Sequence, residues 1–250
     1  MNQSTAIEIR DLVKIYRGSE KAAVNHLSLM IPCGEIYGFL GPNGAGKSST
    51  LNILCGLRRQ TSGTILIEGR DFREYSREIR QKIGIVPQDI ALYPTLTAYE
   101  NLLLFGGVYG LRRKELDKRI REQLHTFGLT SSKNKQIQYF SGGMKRRINL
   151  IAGILHHPCI LFLDEPTVGI DVQSKRVILD TLKELNARGT TMVYTSHSMD
   201  EAQEICTSLA MIDEGTVIET GSPASLLEKH SECRNLEEIY LKLTGKRLRD

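Results

Sequence analysis

An α/β fold with a mostly parallel sheet is the class this sequence predicts, and three observations predict it. Short apolar strand patterns alternate with helical patterns along the chain, the order that a parallel sheet with crossover helices needs. Residues 41–48 read GPNGAGKS, which fits G-x-x-x-x-G-K-[ST], and lie between a buried strand pattern at 35–40 (EIYGFL) and a helical pattern at 48–57. From about 88 to 141 the patterns are helical only, which sets that stretch beside the sheet as a helical subdomain.

The elements follow in order. Residues 6–13 and 24–31 alternate apolar and polar side chains, as half-buried strands do, and Pro32 to Gly34 turns the chain into the 35–40 strand. Residues 64–68 (TILIE), bounded by Gly63 and Gly69, read as a strand, and 82–86 as another that leads into Pro87 and Gln88. Thr97 with Glu100 makes a capping box for a helix through Val108. In 113–127, Leu116, Ile120, Leu124 and Phe127 recur at helical spacing on a charged segment. A helix over 142–155, a fully buried strand over 159–163 (CILFL), a helix over 172–187 ended by Gly189, a strand over 191–194 and a helix over 198–205 follow. Residues 208–212 and 216–219 flank Asp213-Glu214-Gly215 as a hairpin, and 236–243 suits a last helix.

Composition narrows the function classes. The 250 residues carry a formal net charge of only +4. Basic clusters at 112–114, 145–147 and 246–249 have acids nearby and no interleaved aromatics, so they read as solvated helix faces and no nucleic-acid partner is expected. Five cysteines are dispersed with no C-x-x-C pair, which points to reduced thiols in the cytosol and away from a disulfide scaffold or a zinc site. The opening MNQSTAIEIRD has no apolar signal core, and no apolar run approaches a membrane span.

The chemistry starts at the glycine-rich loop. Gly41, Gly44 and Gly46, with Pro42, Asn43 and Ala45 between them, let successive backbone N–H groups curl around phosphate oxygens, and the following helix offers its positive end to the same anion. Lys47 would reach the β- and γ-phosphates, the Ser48 hydroxyl would bind magnesium, and Ser49 adjoins them. Residues 160–165 (ILFLDE) place two carboxylates at the C-terminal end of a buried strand, where ligands of open α/β sheets gather. Asp164 would hold magnesium, directly or through water, and Glu165 would polarise an attacking water as general base. Ser141, Gly142 and Gly143, in FSGGMK, form a second anion cradle at a helix start, for which one phosphate loop has no evident use.

These three features, in this order, resemble the ATP-binding subunit of ABC transporters: a phosphate loop, a signature close to L-S-G-G-Q, and a strand ending in Asp-Glu. The resemblance covers residues 5 to about 225. It extends to Tyr16, matching an aromatic residue on which adenine stacks, and Gln88, matching a glutamine that senses magnesium and the membrane partner. Asp171, in VGID, matches the loop crossing to a facing subunit, and His197, in TSHS, a histidine that contacts the γ-phosphate. Phe140 and Met144 replace the usual Leu and Gln. FSGGMKRR, the segment 92–102 and the ending 236–250 are similar to the branch of drug, polysaccharide and lipid-linked exporters, the drug-resistance group above all.

The resemblance implies a P-loop NTPase fold with an antiparallel β subdomain and an inserted helical subdomain at about 89–155, within an ATP-binding domain at 5–225 and before a helical tail at 226–250. It implies ATP and Mg2+ as ligands, hydrolysis by Glu165, His197 and Lys47, and a head-to-tail dimer, a homodimer by preference, with each ATP between one loop and the other cradle. It implies export through separate membrane-spanning permease subunits, with this chain peripheral on the cytoplasmic face. Ile90, Leu92 and Tyr93, in the proline-containing loop after Gln88, are expected as a group to form an exposed apolar patch that meets the membrane subunit, although Ile90 alone reads as folded back on the helical subdomain. A soluble ATPase of the same family, acting in DNA repair or translation, shares the motifs but usually carries two such domains or a long insertion. A P-loop kinase or a non-hydrolysing nucleotide-binding module is opposed by the Ser-Gly-Gly cradle, Glu165 and His197.

Overall fold

Two sheets organise residues 4–245, the part of the chain that the computed structural model describes. In chain order the elements are β1 (Thr5–Ile15), β2 (Ala22–Pro32), β3 (Ile36–Leu40), α1 (Lys47–Leu54), β4 (Ser62–Ile67), β5 (Arg70–Asp71), α2 (Ser76–Lys82) and β6 (Ile83–Val86). Then come α3 (Ala98–Val108), α4 (Arg113–Thr126), two short 3-10 turns, α5 (Gly142–Ile154), β7 (Ile160–Asp164), α6 (Val172–Ala187) and β8 (Thr191–Ser196). The chain closes with α7 (Met199–Ile205), β9 (Ser208–Asp213), β10 (Thr216–Gly221), α8 (Pro223–Lys229) and α9 (Leu236–Thr244).

The larger sheet has the order β10-β9-β3-β8-β7-β6, parallel from β9 to β6, with β10 antiparallel at one edge. The smaller sheet, β2-β1-β4-β5, is antiparallel throughout. Strands β3, β7 and β8 are buried along their whole length, because apolar layers cover both faces of the larger sheet. Tyr37 and Phe39 face one layer, with Ile7, Ile9 and Leu27 of the smaller sheet and Leu51 and Leu54 of α1. Ile36 and Leu40 face the other, with Leu102, Ile120, Ile148, Ile178 and Tyr240 from the helices. The phosphate loop thus leaves β3 at the C-terminal edge of the parallel strands, beside the ends of β7 and β8.

The helical stretch between β6 and β7 has its own apolar seam. Leu116, Ile120 and Leu124 of α4 pack with Leu102 of α3 and Ile148 and Ile151 of α5. The Thr97 hydroxyl accepts from Glu100 N at 3.2 Å and the Glu100 carboxylate accepts from Thr97 N at 2.8 Å, the reciprocal pair that the sequence predicts.

Several expectations change. Helix α1 stops at Leu54, three residues short of 57, because Leu57 N and Arg58 N both turn back to the Asn52 carbonyl, at 2.9 and 3.0 Å. Elements β5, α2 and α8 were not read from the sequence; α2 and α8 each bury a single residue, Ile79 and Leu226, too little to write a helical period. The basic run at 145–147 is not simply a solvated face, since Arg146 is only 6% exposed. The cluster at 246–249 lies outside the described residues. Leu92 does not belong to an exposed patch: it is 8% exposed and packs in the core, and Ile90 is partly buried against it. The buried Asn101 explains the fold-back, accepting from Tyr93 N at 2.8 Å and donating to Tyr93 O at 3.1 Å. Tyr93, 54% exposed, keeps the expected position.

Candidate nucleotide site

The loop between β3 and α1 is held open by its glycines and closed by its lysine. Gly46 has φ +105°, and a Cβ there would sit 2.3 Å from the Ala23 carbonyl oxygen, so no other residue fits. Lys47 is 4% exposed; its Nζ donates to Gly41 O at 2.8 Å and Pro42 O at 3.1 Å and lies 3.8 Å from Glu165 Oε1. Burial pulls the Lys47 pKa below the usual lysine value, and the charges of Glu165 and Asp164 oppose that pull.

Both carboxylates converge on this loop. The Asp164 Oδ1 accepts from the Ser48 hydroxyl at 3.0 Å and from the Thr195 hydroxyl at 2.6 Å. Glu165, 7% exposed, accepts from Gln88 Nε2 at 3.1 Å on Oε2, and its Oε1 lies 3.1 Å from His197 Nδ1. Its own N–H donates to the Thr195 hydroxyl at 3.0 Å. Glu165 also holds φ +45°, a left-handed backbone that a non-glycine residue adopts at a cost, and that turns its side chain out of the strand's alternation. Lys47, Ser48, Gln88, Asp164, Glu165 and His197 therefore share one polar network although they span 151 positions of sequence, from 47 to 197.

Tyr16 stands at the same loop. Its hydroxyl lies 3.1 Å from Ser49 Oγ, its ring is 38% exposed, and Lys14 Nζ sits 4.9 Å from the ring centroid. A cavity of about 320 Å³ runs beside Pro42–Ala45 and reaches Tyr240 of α9. A second, about 210 Å³, opens between Glu165, His197, Lys175 and Glu201.

The Ser141–Gly143 cradle is separate. Ser141 and Gly142 are exposed at the start of α5, and the Ser141 hydroxyl caps that helix by accepting from Met144 N at 3.3 Å. Among the described residues no hydrogen bond joins 141–143 to the phosphate loop. Gly143 is glycine for a packing reason: a Cβ would meet Ser174 Oγ at 2.2 Å and Asp171 Oδ2 at 2.7 Å. Asp171 itself caps α6, accepting from Ser174 N at 2.8 Å, and the hydrogen bonds from Ser174 hold its carboxyl below the usual range.

Two residues of the network escaped the sequence reading. Thr195 bridges the Asp164 carboxylate and the Glu165 backbone N–H, and its only signal was its place two residues before His197 on the neighbouring strand. Glu201, 5% exposed, accepts from Thr167 Oγ1 at 2.6 Å and from the Tyr194 hydroxyl, and pairs with Lys175 at 2.6 Å, so the turn after Glu165 is fastened to α7. Burial and the Glu201 charge push the Tyr194 hydroxyl pKa well above its usual value.

Known proteins resemble this chain. A family model described as "ABC transporter" matches residues 24–168. The Linearmycin resistance ATP-binding protein LnrL of Bacillus subtilis is 46% identical over 223 residues, 89% of this chain and 71% of that one. The Nod factor export ATP-binding protein I of Burkholderia lata is 39% identical over 234 residues, 94% of this chain and 76% of that one. The dimeric ATP-binding cassette MJ0796, solved in a post-hydrolysis state with ADP and Pi, superposes with a TM-score of 0.79 at 29% identity, over 86% of this chain and 98% of its own. A matched family model over more than half of the chain, and relatives of this identity and coverage, leave one conclusion: the chain belongs to the ABC transporter family, as an ATP-binding and ATP-hydrolysing subunit.

Proposed function

We propose that this chain hydrolyses ATP at the Lys47–Glu165 network and passes the resulting motion to separate membrane-spanning subunits that export a substrate. One observation supports the chemistry best: Glu165 is buried, yet hydrogen-bonds Gln88 and His197 and lies within 3.8 Å of Lys47, at the mouth of a phosphate loop. That is where a general base for an attacking water belongs. In this reading Lys47 neutralises the β- and γ-phosphates, with residues 41–49 cradling them. His197 contacts the γ-phosphate, and Tyr16 stacks on the base.

The hydroxyl of Ser48, the carboxylate of Asp164 and the amide oxygen of Gln88 are hard oxygen donors of the kind that suit magnesium, which completes its shell with water and phosphate oxygens. Magnesium would offset phosphate charge there. Among the described residues no cluster of three or more His, Cys, Asp and Glu stands ready as an all-protein metal cage, in keeping with a metal that arrives with its nucleotide.

The exposed Ser141 and Gly142 at the self-capped start of α5 favour a second copy of this chain as the donor of the missing contacts, head to tail, and relatives named for resistance and export favour the exporter branch. The ATP-binding unit spans 5–225, with its helical subdomain at about 89–155 and a tail at 226–250. No described helix is long and apolar enough to cross a membrane. The subunit in this reading is peripheral, on the cytoplasmic face, held by permease subunits.

Glu165→Gln tests the chemistry. The amide keeps the shape but cannot take the water's proton, so turnover should fall about 10²–10⁴-fold while ATP affinity stays near wild type. ATP should also trap a dimer, visible by size exclusion. Wild-type phosphate release by this variant would remove Glu165 from the role of base.

A further inference from the structure

We propose that the cleft between the C-terminal end of α1, β4 and α2 binds a phosphate-bearing amphiphile; it uses none of the residues of the nucleotide site. The cavity measures about 840 Å³, more than either cavity at the phosphate loop and the carboxylates. Its floor is apolar, from Ile53, Ile65 and Phe72, all buried. Four arginines converge on it from separate segments: Arg58 and Arg59 after α1, Arg73 before α2, and Arg80 within α2. No carboxylate lines it.

Carboxylates answer few of these arginines. On α4, α6 and α9 and the turn before it, Arg119, Arg121, Arg176 and Arg234 each face a carboxylate four residues away. In the cleft only Arg73 has one, Asp71 at 3.2 Å. Arg80 reaches the Gly56 carbonyl at 3.5 Å, and the side chains of Arg58 and Arg59 make no hydrogen bond or ion pair among the described residues. Lys14 adds its charge nearby by donating to Arg59 O at 2.7 Å. Like charges gathered around one concavity repel, and a bound anion relieves that repulsion. Guanidinium forks suit phosphate oxygens, and a floor of Ile and Phe suits the carbon body that carries them. The ligand class is thus a phosphate on an apolar body, offered either by a lipid headgroup or by a soluble phosphoester.

The test uses the whole chain saturated with ADP and magnesium, so that the phosphate loop is filled. Probes are inorganic phosphate, hexyl phosphate, and vesicles of phosphatidylcholine with or without phosphatidylglycerol. Variants are R58A/R59A and, as a charge-matched control on the exposed start of α4, R112A/K114A. Hexyl phosphate should bind more tightly than inorganic phosphate, and R58A/R59A should lose about thirtyfold while the control and the ATPase of both variants hold. Vesicle binding that needs phosphatidylglycerol and is lost in R58A/R59A identifies a membrane headgroup; hexyl phosphate binding alone identifies a soluble phosphoester. The proposal is overturned if hexyl phosphate binds no better than inorganic phosphate and no vesicle binds, or if both variants lose equally. It is overturned equally if a glutamate-rich peptide binds where no phosphate probe does, which would make the cleft a seat for an acidic protein segment.

Discussion

Two helix starts in this chain offer backbone N–H groups to anions, and they are furnished very differently. At the start of α1 the chain supplies everything around the loop: Lys47 inside it, Asp164 on Ser48, and Glu165 fixed by Gln88, His197 and Thr195. At the start of α5 it supplies almost nothing; Ser141 and Gly142 are exposed, and the Ser141 hydroxyl is spent on its own helix. In the proposed reading the first is a nucleotide-binding loop with its partners in place and the second a half-site. On that reading, turnover that needs both would come from two copies of the chain.

The largest effect should come from making the half-site unusable. Ser141→Arg puts a bulky cation on the exposed end of α5, so turnover should be abolished while the monomer still binds ATP. Ser141→Ala is the control: it loses a cap worth about 1 kcal/mol but adds no bulk, and should keep most activity. Lys47→Ala damages the other side, where ATP affinity or turnover should collapse. Mixing Ser141→Arg with Lys47→Ala rebuilds one whole site per mixed dimer. Phosphate release from the mixture above that of either alone is expected; none, with mixed dimers shown by cross-linking, would refute the two-copy site.

Next in size is the loop that carries Gln88 to α3. Leu92→Asp buries a carboxylate in the apolar layer and should cost ~3–5 kcal/mol, read as a fall in the denaturant midpoint. Tyr93→Asp, at an exposed position, should stay within about 0.5 kcal/mol of wild type and keep basal ATPase. If Tyr93 meets the membrane subunit, co-purification with it fails in that variant alone.

This loop also shows what a sequence conceals. The octet at 41–48 was legible because its chemistry is local: glycines, lysine and serine act where they are written. The parallel order was legible from β3 and β7, whose apolar runs, IYGFL and ILFL, mean burial on both faces. Leu92 was misjudged because what folds its loop back is Asn101, nine residues on and itself unremarkable in an apolar helix. Arg146 looked like surface; its Nη1 donates to the carbonyls of Pro87, at 3.3 Å, and Gln88, at 2.5 Å, contacts nearly 60 residues away that no local pattern announces. Thr195 was missed for the same reason.

A moderate effect is expected at Thr195, which belongs to the furnished site alone. Thr195→Val keeps the shape and strand preference but removes the hydroxyl that donates to Asp164 and accepts from Glu165 N. It leaves a buried N–H without a partner, a loss of about 1–3 kcal/mol. Turnover should fall about tenfold or more with ATP affinity little changed, and Thr195→Ser should restore it. Equal loss in the serine variant would mean that packing, not the hydroxyl, matters here.

The smallest effect should lie at the rim of the furnished site. Tyr16 stands at the edge of the loop, 38% exposed, with its hydroxyl 3.1 Å from Ser49 Oγ. If it serves as a stacking surface, the ring carries the energy and the hydroxyl only orients it. Tyr16→Ala should therefore weaken ATP binding by ~1–3 kcal/mol, while Tyr16→Phe stays near wild type. Fluorescent-nucleotide titration separates the two variants. A second comparison separates stacking from general loop damage: inorganic triphosphate, which has no base, should bind Tyr16→Ala and wild type alike. If triphosphate binding falls as far as ATP binding, Tyr16 acts through Ser49 and the first turn of α1, and the base is held elsewhere.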